Sequence, residues 1–313
     1  MVLLLGNGLN NLEDQNTTWD NLINNVSERI TKKGLGYRQH KRPPLQFIYE
    51  ELFLEFKKKY KHKTEHDLKK IFSDEISGLK AHPIYKKLGK LNIQTILTTN
   101  YDDLIDMHFI GSYITQEIPG DVEINKIMKQ GNEWRYRIYT KNSGGPRSVW
   151  HIHGEAKHLQ TMVIGQDMYM KVASKINDYL NTKKPEHKFE ESWIDYFFSK
   201  NIHILGFGMD YSEITLYQIL HERARRIADG GNEYTINNRI IYYCYEKEAT
   251  SDKKDLIQYL KKLHIEVKEI QANGYLDFYD KVLDSFPQTN KGKPMDLDQK
   301  INTTFDVKYE RSG

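Results

Sequence analysis

Four short stretches of this 313-residue chain carry residue types that could do chemistry. In Thr98-Thr99-Asn100-Tyr101-Asp102, an amide and a carboxylate stand two residues apart at the end of an apolar run. Both can reach a sugar or an attacking water; the same residues also suit an Asx-type turn that caps a following helix. His151-Ile152-His153-Gly154 offers two imidazoles at alternate positions, which on a strand lie on one face. That spacing permits a metal pair, but no carboxylate or cysteine cluster is seen to converge on it. The better reading is one structural histidine and one acid–base histidine. His153, at the strand's carboxyl end before a glycine, is placed for proton transfer near neutral pH. His151, one step back, is expected to matter more for stability than for turnover. Gly6-Asn7-Gly8-Leu9-Asn10 and Gly206-Phe207-Gly208-Met209-Asp210 each follow an apolar run and precede a helical pattern. Glycines there let a backbone approach a pyrophosphate, and a helix start favours anions. The first turn is an incomplete dinucleotide fingerprint, because Asn11 stands where its last glycine would, and a plain glycine turn is the alternative. Asp210 or Ser212 is expected to cap the helix after the second.

These stretches need elements to hold them. Apolar runs predict strands at 2–5, 93–98, 148–153, 201–205, 239–245 and 265–270. Apolar positions at helical spacing predict helices at about 18–32, 45–60, 65–79, 212–228, 251–264 and 275–286. Residues 165–200 read as mostly helix, with a loop at Pro185 and an apolar last helix over 193–198. Residues 110–148 read as polar loop with short strands. Strands alternating with helices argue for an α/β fold: a Rossmann-like parallel sheet flanked by helices, with a mostly helical, zinc-free small lobe inserted. One domain is expected over 1–286. The sheet comes from about 1–33, 92–105, 146–165 and 200–286, with helical insertions at about 34–91 and 106–200. A polar tail over 287–313 follows. The basic run 57–63 reads as a solvated helix end, with a polyanion or partner patch as the alternative.

Composition excludes several classes. Lys+Arg 46 against Asp+Glu 43 leaves a net charge of +3, which is no nucleic-acid signature. A single cysteine, Cys244, excludes an internal disulfide framework and a cysteine-cage zinc site. The apolar start 2–5 ends at Gly6, too short for a signal peptide or a membrane span. With a mean hydropathy of −0.72, the expectation is a soluble, cytoplasmic protein with no membrane partner.

Taken in order, the motifs resemble the sirtuin superfamily: a glycine-rich first turn, a Thr-x-Asn-x-Asp block, a His-Gly, and a Gly-x-Gly after a late strand. The matches are Gly6-Asn7-Gly8-Leu9-Asn10, Thr98-Thr99-Asn100-Tyr101-Asp102, His153-Gly154 and Gly206-Phe207-Gly208. The chain departs from protein-deacylating sirtuins in two ways. Their four zinc-binding cysteines are absent, and their Pro-Asp-Phe-Arg stretch is replaced by residues 11–18 and Trp19-Asp20. Both departures look like the bacterial sirtuin-like branch that hydrolyses NAD in defence against phage.

That resemblance implies that NAD+ is a substrate and not a hydride carrier, with no other cofactor, no zinc and no metal at the site. By resemblance, Asn100 orients the ribose or the attacking water. Asp102 fixes the nicotinamide-side ribose or orders the Asn100 loop, and His153 is the general base. Gly6, Gly8 and Asn10 hold the pyrophosphate, and Asn7 and Thr99 join them in binding NAD+. Gly206 and Gly208, with Asp210, lie at the adenosine half, and a residue of 242–245 is near the adenine. The branch implies a homo-oligomer, controlled by an activating partner encoded nearby, for example a hexameric ATPase. Two other readings stand beside it. One is a zinc-free protein deacylase or ADP-ribosyltransferase. The other is a non-catalytic NAD- or ADP-ribose-binding assembly subunit, against which the pair Asn100 and His153 argues, since a binding module needs no general base.

Overall fold

The computed structural model describes residues 1–12, 18–34, 43–109, 138–142, 145–182, 192–211, 213–229, 236–248 and 250–288. Most of the 110–148 stretch, Pro185, Ser212 and all but the first residues of the expected tail lie outside them. Among the described residues, seven strands form one sheet: β1 (Val2–Leu5), β2 (Thr95–Thr98), β3 (Ile138–Asn142), β4 (Gly145–His151), β5 (Ile202–Leu205), β6 (Ile240–Tyr245) and β7 (Ile265–Ile270). Their order is β3-β4-β2-β1-β5-β6-β7. Six strands run parallel, and β3 closes one edge antiparallel to β4. From β1 the chain winds outward through β2 and β4, then returns to β5 on the other side of β1. The strand order therefore reverses between β1 and β5, where open α/β sheets hold ligands outside their carboxyl ends.

Alternation along the strands builds two cores. Val2, Leu4, Leu97, Trp150, Ile204 and Tyr242 face one side. They meet α6 (Gln166–Thr182), α7 (Tyr196–Ser199), α8 (Ile214–Ala228) and α9 (Ser251–Lys262). Leu3, Leu5, Ile96, Val149, Ile241 and Tyr243 face the other. They meet α4 (Tyr85–Leu88), α5 (Leu104–Phe109) and α10 (Tyr275–Asp284). The helices within 166–199 thus cover the sheet itself. The last of them is shorter than expected, because Trp193 and Ile194 lie in a turn ahead of α7.

A third core belongs to a helical lobe of α1 (Trp19–Thr31), α2 (Leu45–Lys59) and α3 (Glu65–Ile76), closed by Tyr101, Ala156, Met162 and Ile164. Local chemistry sets its limits. The Thr18 hydroxyl accepts from the Asn21 amide at the start of α1, and Lys32 ends it in the left-handed region. Thr64 and Asp67 form a capping box at the start of α3. In the basic run, the Lys57 ammonium donates to the carbonyls of Lys61 and Lys63, and Lys59 donates to that of Ile30. Lys59 thus caps the last turn of α1, and Lys57 holds the loop that follows α2.

β1 and β5 leave the sheet at the same level, Leu5 paired with Leu205. The turns that follow press directly together. The Gly6 amide donates to Leu205 O at 3.1 Å, and the Gly8 amide donates to Gly206 O at 2.8 Å. A Cβ on Gly6 would strike Gly206 O and come within 2.7 Å of Phe207. One on Gly8 would strike the Tyr279 hydroxyl and stand 2.8 Å from Gly206 Cα. The close approach these glycines permit is thus of turn to turn. Gly6→Ala is expected to cost about 1–3 kcal/mol, as overpacking of a rigid backbone contact does. Chemical denaturation checks this, and an unchanged midpoint would contradict the packing described.

Candidate active site

A cavity of about 1080 Å³ opens at the carboxyl ends of the central strands. Asn7, Gly8, Thr99, His153, Gly206, Gly208 and Asp210 of the expected site line it. So do Tyr242, Tyr243, Cys244 and Tyr245 at the end of β6, as well as Trp19, Tyr101, Tyr169 and Glu213. Gly6, Asn10, Asn100 and Asp102 stand behind this wall.

Gly208 differs from the other turn glycines. A Cβ placed there meets nothing within 4 Å, so no contact among the described residues calls for glycine at this point. Gly206 has φ 66°, and the next residues bring Met209 to φ 50°. Left-handed backbone suits Gly206 and strains Met209. The residue at the N-cap of α8 is Glu213, with no side-chain cap hydrogen bond. Asp210 is therefore not the cap. It lies at the cavity, and its carbonyl accepts from the Glu213 amide.

Asn10 is a buried hub. Its amide donates to Asp102 Oδ2 at 2.9 Å and to Asn7 Oδ1 at 2.7 Å, and its Oδ1 accepts from the Tyr85 hydroxyl. Asp102 also accepts from the Leu104 amide at 3.1 Å, so its carboxylate links the first glycine turn to the start of α5. Burial raises the Asp102 pKa, against the pull of the Asn10 hydrogen bond. Asn100 is 1% exposed. Its side-chain amide stands 3.4 Å from Gly6 O, and its Oδ1 is buried with no hydrogen-bond partner.

The two histidines do not share a face as their spacing suggested. β4 ends at His151, and Ile152 and His153 lie in a turn closed by the Gly154 amide on His151 O. Gly154 has φ 81°, where a Cβ would strike Thr161. The strand alternation therefore stops before His153, and the two rings diverge.

His151 points inward, and the expectation that no carboxylates converge there is overturned. Its Nε2 is 2.8 Å from Asp106 Oδ2 and 3.2 Å from Glu155 Oε1, and its Nδ1 is 3.1 Å from Asn100 O. Asp106, His151 and Glu155 offer one donor atom each, all within 4.8 Å of one another and all buried. Burial pulls the His151 pKa down, but the two carboxylates more than reverse this and lift it to about 10. His151 is then an imidazolium at neutral pH. It neutralises buried acid on one side and clamps the Asn100 carbonyl on the other.

His153 faces the cavity. Its Nε2 is 3.3 Å from Thr215 Oγ1 and 3.7 Å from Glu213 Oε2, and Nδ1 is 3.5 Å from the Tyr169 hydroxyl. Burial lowers its pKa to about 4, so the ring is neutral and can accept a proton. Glu213, which sequence reading missed, is pushed the other way. Burial, and then the charge of Asp210, raise its pKa to about 8. Its Oε2 is buried with no hydrogen-bond partner among the described residues. The signal available was an acidic residue at the head of the helix that follows Gly-x-Gly.

A doubly wound sheet, a cleft at its reversal point, and a wall carrying two titratable groups with opposed shifts define a nucleotide-type α/β site with acid–base capacity. A family model described as SIR2-like domain matches residues 94–268, more than half of the chain, and the chain belongs to that family. No curated protein matches the chain. Membership supports an NAD-related function. The four-cysteine zinc site of the deacylating relatives does not fit, because Cys244 stands alone in the sequence, buried on β6.

The Glu213 shift has a consequence for stability. Its folded pKa of about 8 lies above the ordinary 4.5, so its contribution is full below pH 4.5 and is lost as pH rises through 8. Glu213→Gln removes that dependence. The variant's melting temperature is expected to match the wild type near pH 5 and to exceed it at pH 9. The contribution of His151 is common to both proteins and cancels in the difference. Parallel melting curves across this range would contradict the raised basicity of the Glu213 carboxyl.

Proposed function

We propose that the chain is an NAD+ glycohydrolase, which cleaves NAD+ to nicotinamide and ADP-ribose. The observation that carries this reading is one continuous cavity joining the glycine turns at Gly8, Gly206 and Gly208 to the neutral base His153. It is large enough for a dinucleotide. Gly208 leaves open space where a side chain would intrude, which is what close approach of a ligand to backbone requires.

In this reading the nicotinamide-side ribose lies between His153, Tyr101 and Thr99, and the adenosine half runs past Gly208 towards 242–245. Cleavage breaks the bond from C1′ to the nicotinamide nitrogen. The bond's electron pair leaves with neutral nicotinamide, the sugar gains oxocarbenium character, and water adds at C1′. Asn100 stands behind the wall that its neighbours Thr99 and Tyr101 line; in this reading the bound ribose brings a hydroxyl or the water to its Oδ1, for which no partner is found among the described residues. Asp102 holds the Asn100 loop against the first glycine turn. His153 takes a proton from the nucleophile.

Self-association, control by an activating partner and a role in defence against phage belong to this proposal. A freely active NAD hydrolase would exhaust its host, so the chain alone is expected to turn over slowly. Light scattering tests the self-association, and a strict monomer at micromolar concentration would count against it. The zinc-free deacylase or ADP-ribosyltransferase reading separates at once, because it requires an acceptor substrate whereas hydrolysis needs only NAD+ and water.

Incubation with NAD+ alone is expected to release nicotinamide and ADP-ribose in equal amounts. Asn100→Ala and His153→Ala are expected to lower the rate by about 10²–10⁴-fold while the melting temperature stays near the wild-type value. Gly208→Val is expected to weaken NAD+ binding, read by calorimetry, without loss of fold. Full turnover in both Asn100→Ala and His153→Ala would sink the mechanism.

A further inference from the structure

We propose that Glu213 is the proton-accepting partner of His153: the proton that enters the imidazole from the nucleophile leaves it from Nε2 for Glu213 Oε2. The inference rests on the hydrolase reading and adds a group that reading does not contain.

Three observations carry it. First, Glu213 Oε2 lies 3.7 Å from His153 Nε2, and Glu213 lines the same cavity. Second, that oxygen is buried and has no hydrogen-bond partner among the described residues. A buried carboxyl oxygen without one is costly, and here it stands 3.7 Å from the ring of a cavity histidine. Third, the order of basicity is inverted from that of a serine-protease pair. There the carboxylate stays ionised and the imidazole keeps the proton. Here burial leaves His153 a weak base, near pKa 4, while Glu213 is a strong carboxylate base, near 8. The opposed directions of the two shifts favour the proton on Glu213 over His153.

The groups facing this pair come from several elements. The Tyr101 and Tyr169 hydroxyls lie on the β2 and α6 sides, and both have pKa values raised by burial and by the Glu213 charge. Asp210, on the turn after β5, is the charged neighbour that raises Glu213. Thr215 shares Nε2 at 3.3 Å and does not titrate.

The step balances as follows. The bond between C1′ and the nicotinamide nitrogen breaks, and its electron pair leaves with nicotinamide. Water oxygen bonds to C1′, and one water proton passes to Nδ1 of His153. The proton on Nε2 passes to Glu213 Oε2. Glu213 later returns this proton to solvent, and His153 recovers its starting tautomer.

The test follows nicotinamide release from pH 5 to 10 in the wild type, Glu213→Gln and Glu213→Asp. The wild-type rate is expected to rise about tenfold per pH unit towards pH 8 and then level, because only ionised Glu213 accepts the proton. Glu213→Gln should lose this rise and fall by about 10²–10⁴-fold at pH 9. Glu213→Asp should keep the rise at a reduced rate. A purely structural Glu213 would alter melting behaviour without moving the profile. If Glu213→Gln keeps the rise and a rate within threefold of wild type while His153→Ala is inactive, the proposal falls and the hydrolase reading stands. Imidazole NMR of the unliganded protein reads the pair without turnover. The His153 signals, assigned with His153→Ala, should shift through about pH 8 in the wild type and not in Glu213→Gln. A flat wild-type trace overturns the proposal even if NAD+ proves not to be the substrate.

Discussion

The contact of the turn after β1 with the turn after β5 is the constraint on which the rest of the site depends. The two strands are in register to their last residues, so both chains leave the sheet at one level and compete for one volume. Only backbone fits there, which makes Gly6, Gly8 and Gly206 structural before they are functional. Their amides are partly engaged with each other, Gly6 on Leu205 and Gly8 on Gly206. The floor of the cleft is therefore a rigid double layer of main chain. Asn10 and Asp102 extend that floor sideways to α5, and Asn100 is fixed against Gly6. A ligand over this floor meets groups that packing has already oriented.

A second, electrostatic layer supports the first. Asp106, Glu155 and His151 come from α5, from the turn after β4 and from β4 itself, and they are joined in the interior. Two carboxylates and one imidazole in such a place are unstable apart and tolerable together, since a buried charge without a partner is expensive. The imidazolium has a further donor, and that donor is aimed at the Asn100 carbonyl. The charge cluster thereby fixes the backbone at the residue whose side chain the proposed chemistry needs. The same three donors are of metal-ligating type, and a protonated His151 offsets part of the carboxylate charge beside it.

What was legible in the sequence was whatever is local. Apolar runs gave the six parallel strands, 3.6-residue spacing gave the long helices, and glycines after strands marked the carboxyl edge. What escaped depends on distance along the chain. Asp106 and His151 are 45 residues apart, and no spacing rule joins them. His153 and Glu213 lie 60 residues apart. The error over the histidines has a local cause instead: β4 ends one turn early because Gly154 takes φ 81°, and strand alternation cannot be extended past such a break. The capping expectation for Asp210 failed for a related reason. Its turn carries the chain on to Glu213 before α8 starts, which moves the cap and delivers a carboxyl to the cavity.

Burial acts on both His153 and Glu213, and its sign depends on the charge each group would carry. It weakens His153 as a base because protonation creates a charge, and it strengthens Glu213 because protonation removes one. His151 shows what changes the outcome: with carboxylates at 2.8 and 3.2 Å, the same dry surroundings hold a cation firmly. Two histidines two residues apart are thus set at opposite ends of the imidazole range, one to hold charge permanently and one to stay neutral. That division requires the break after β4, since a continued strand would place both rings on one face. The turn at Gly154 is therefore part of the electrostatics of the site as much as of its shape. The neutral ring it delivers to the cavity stands 3.7 Å from a carboxyl oxygen whose basicity the same burial raises.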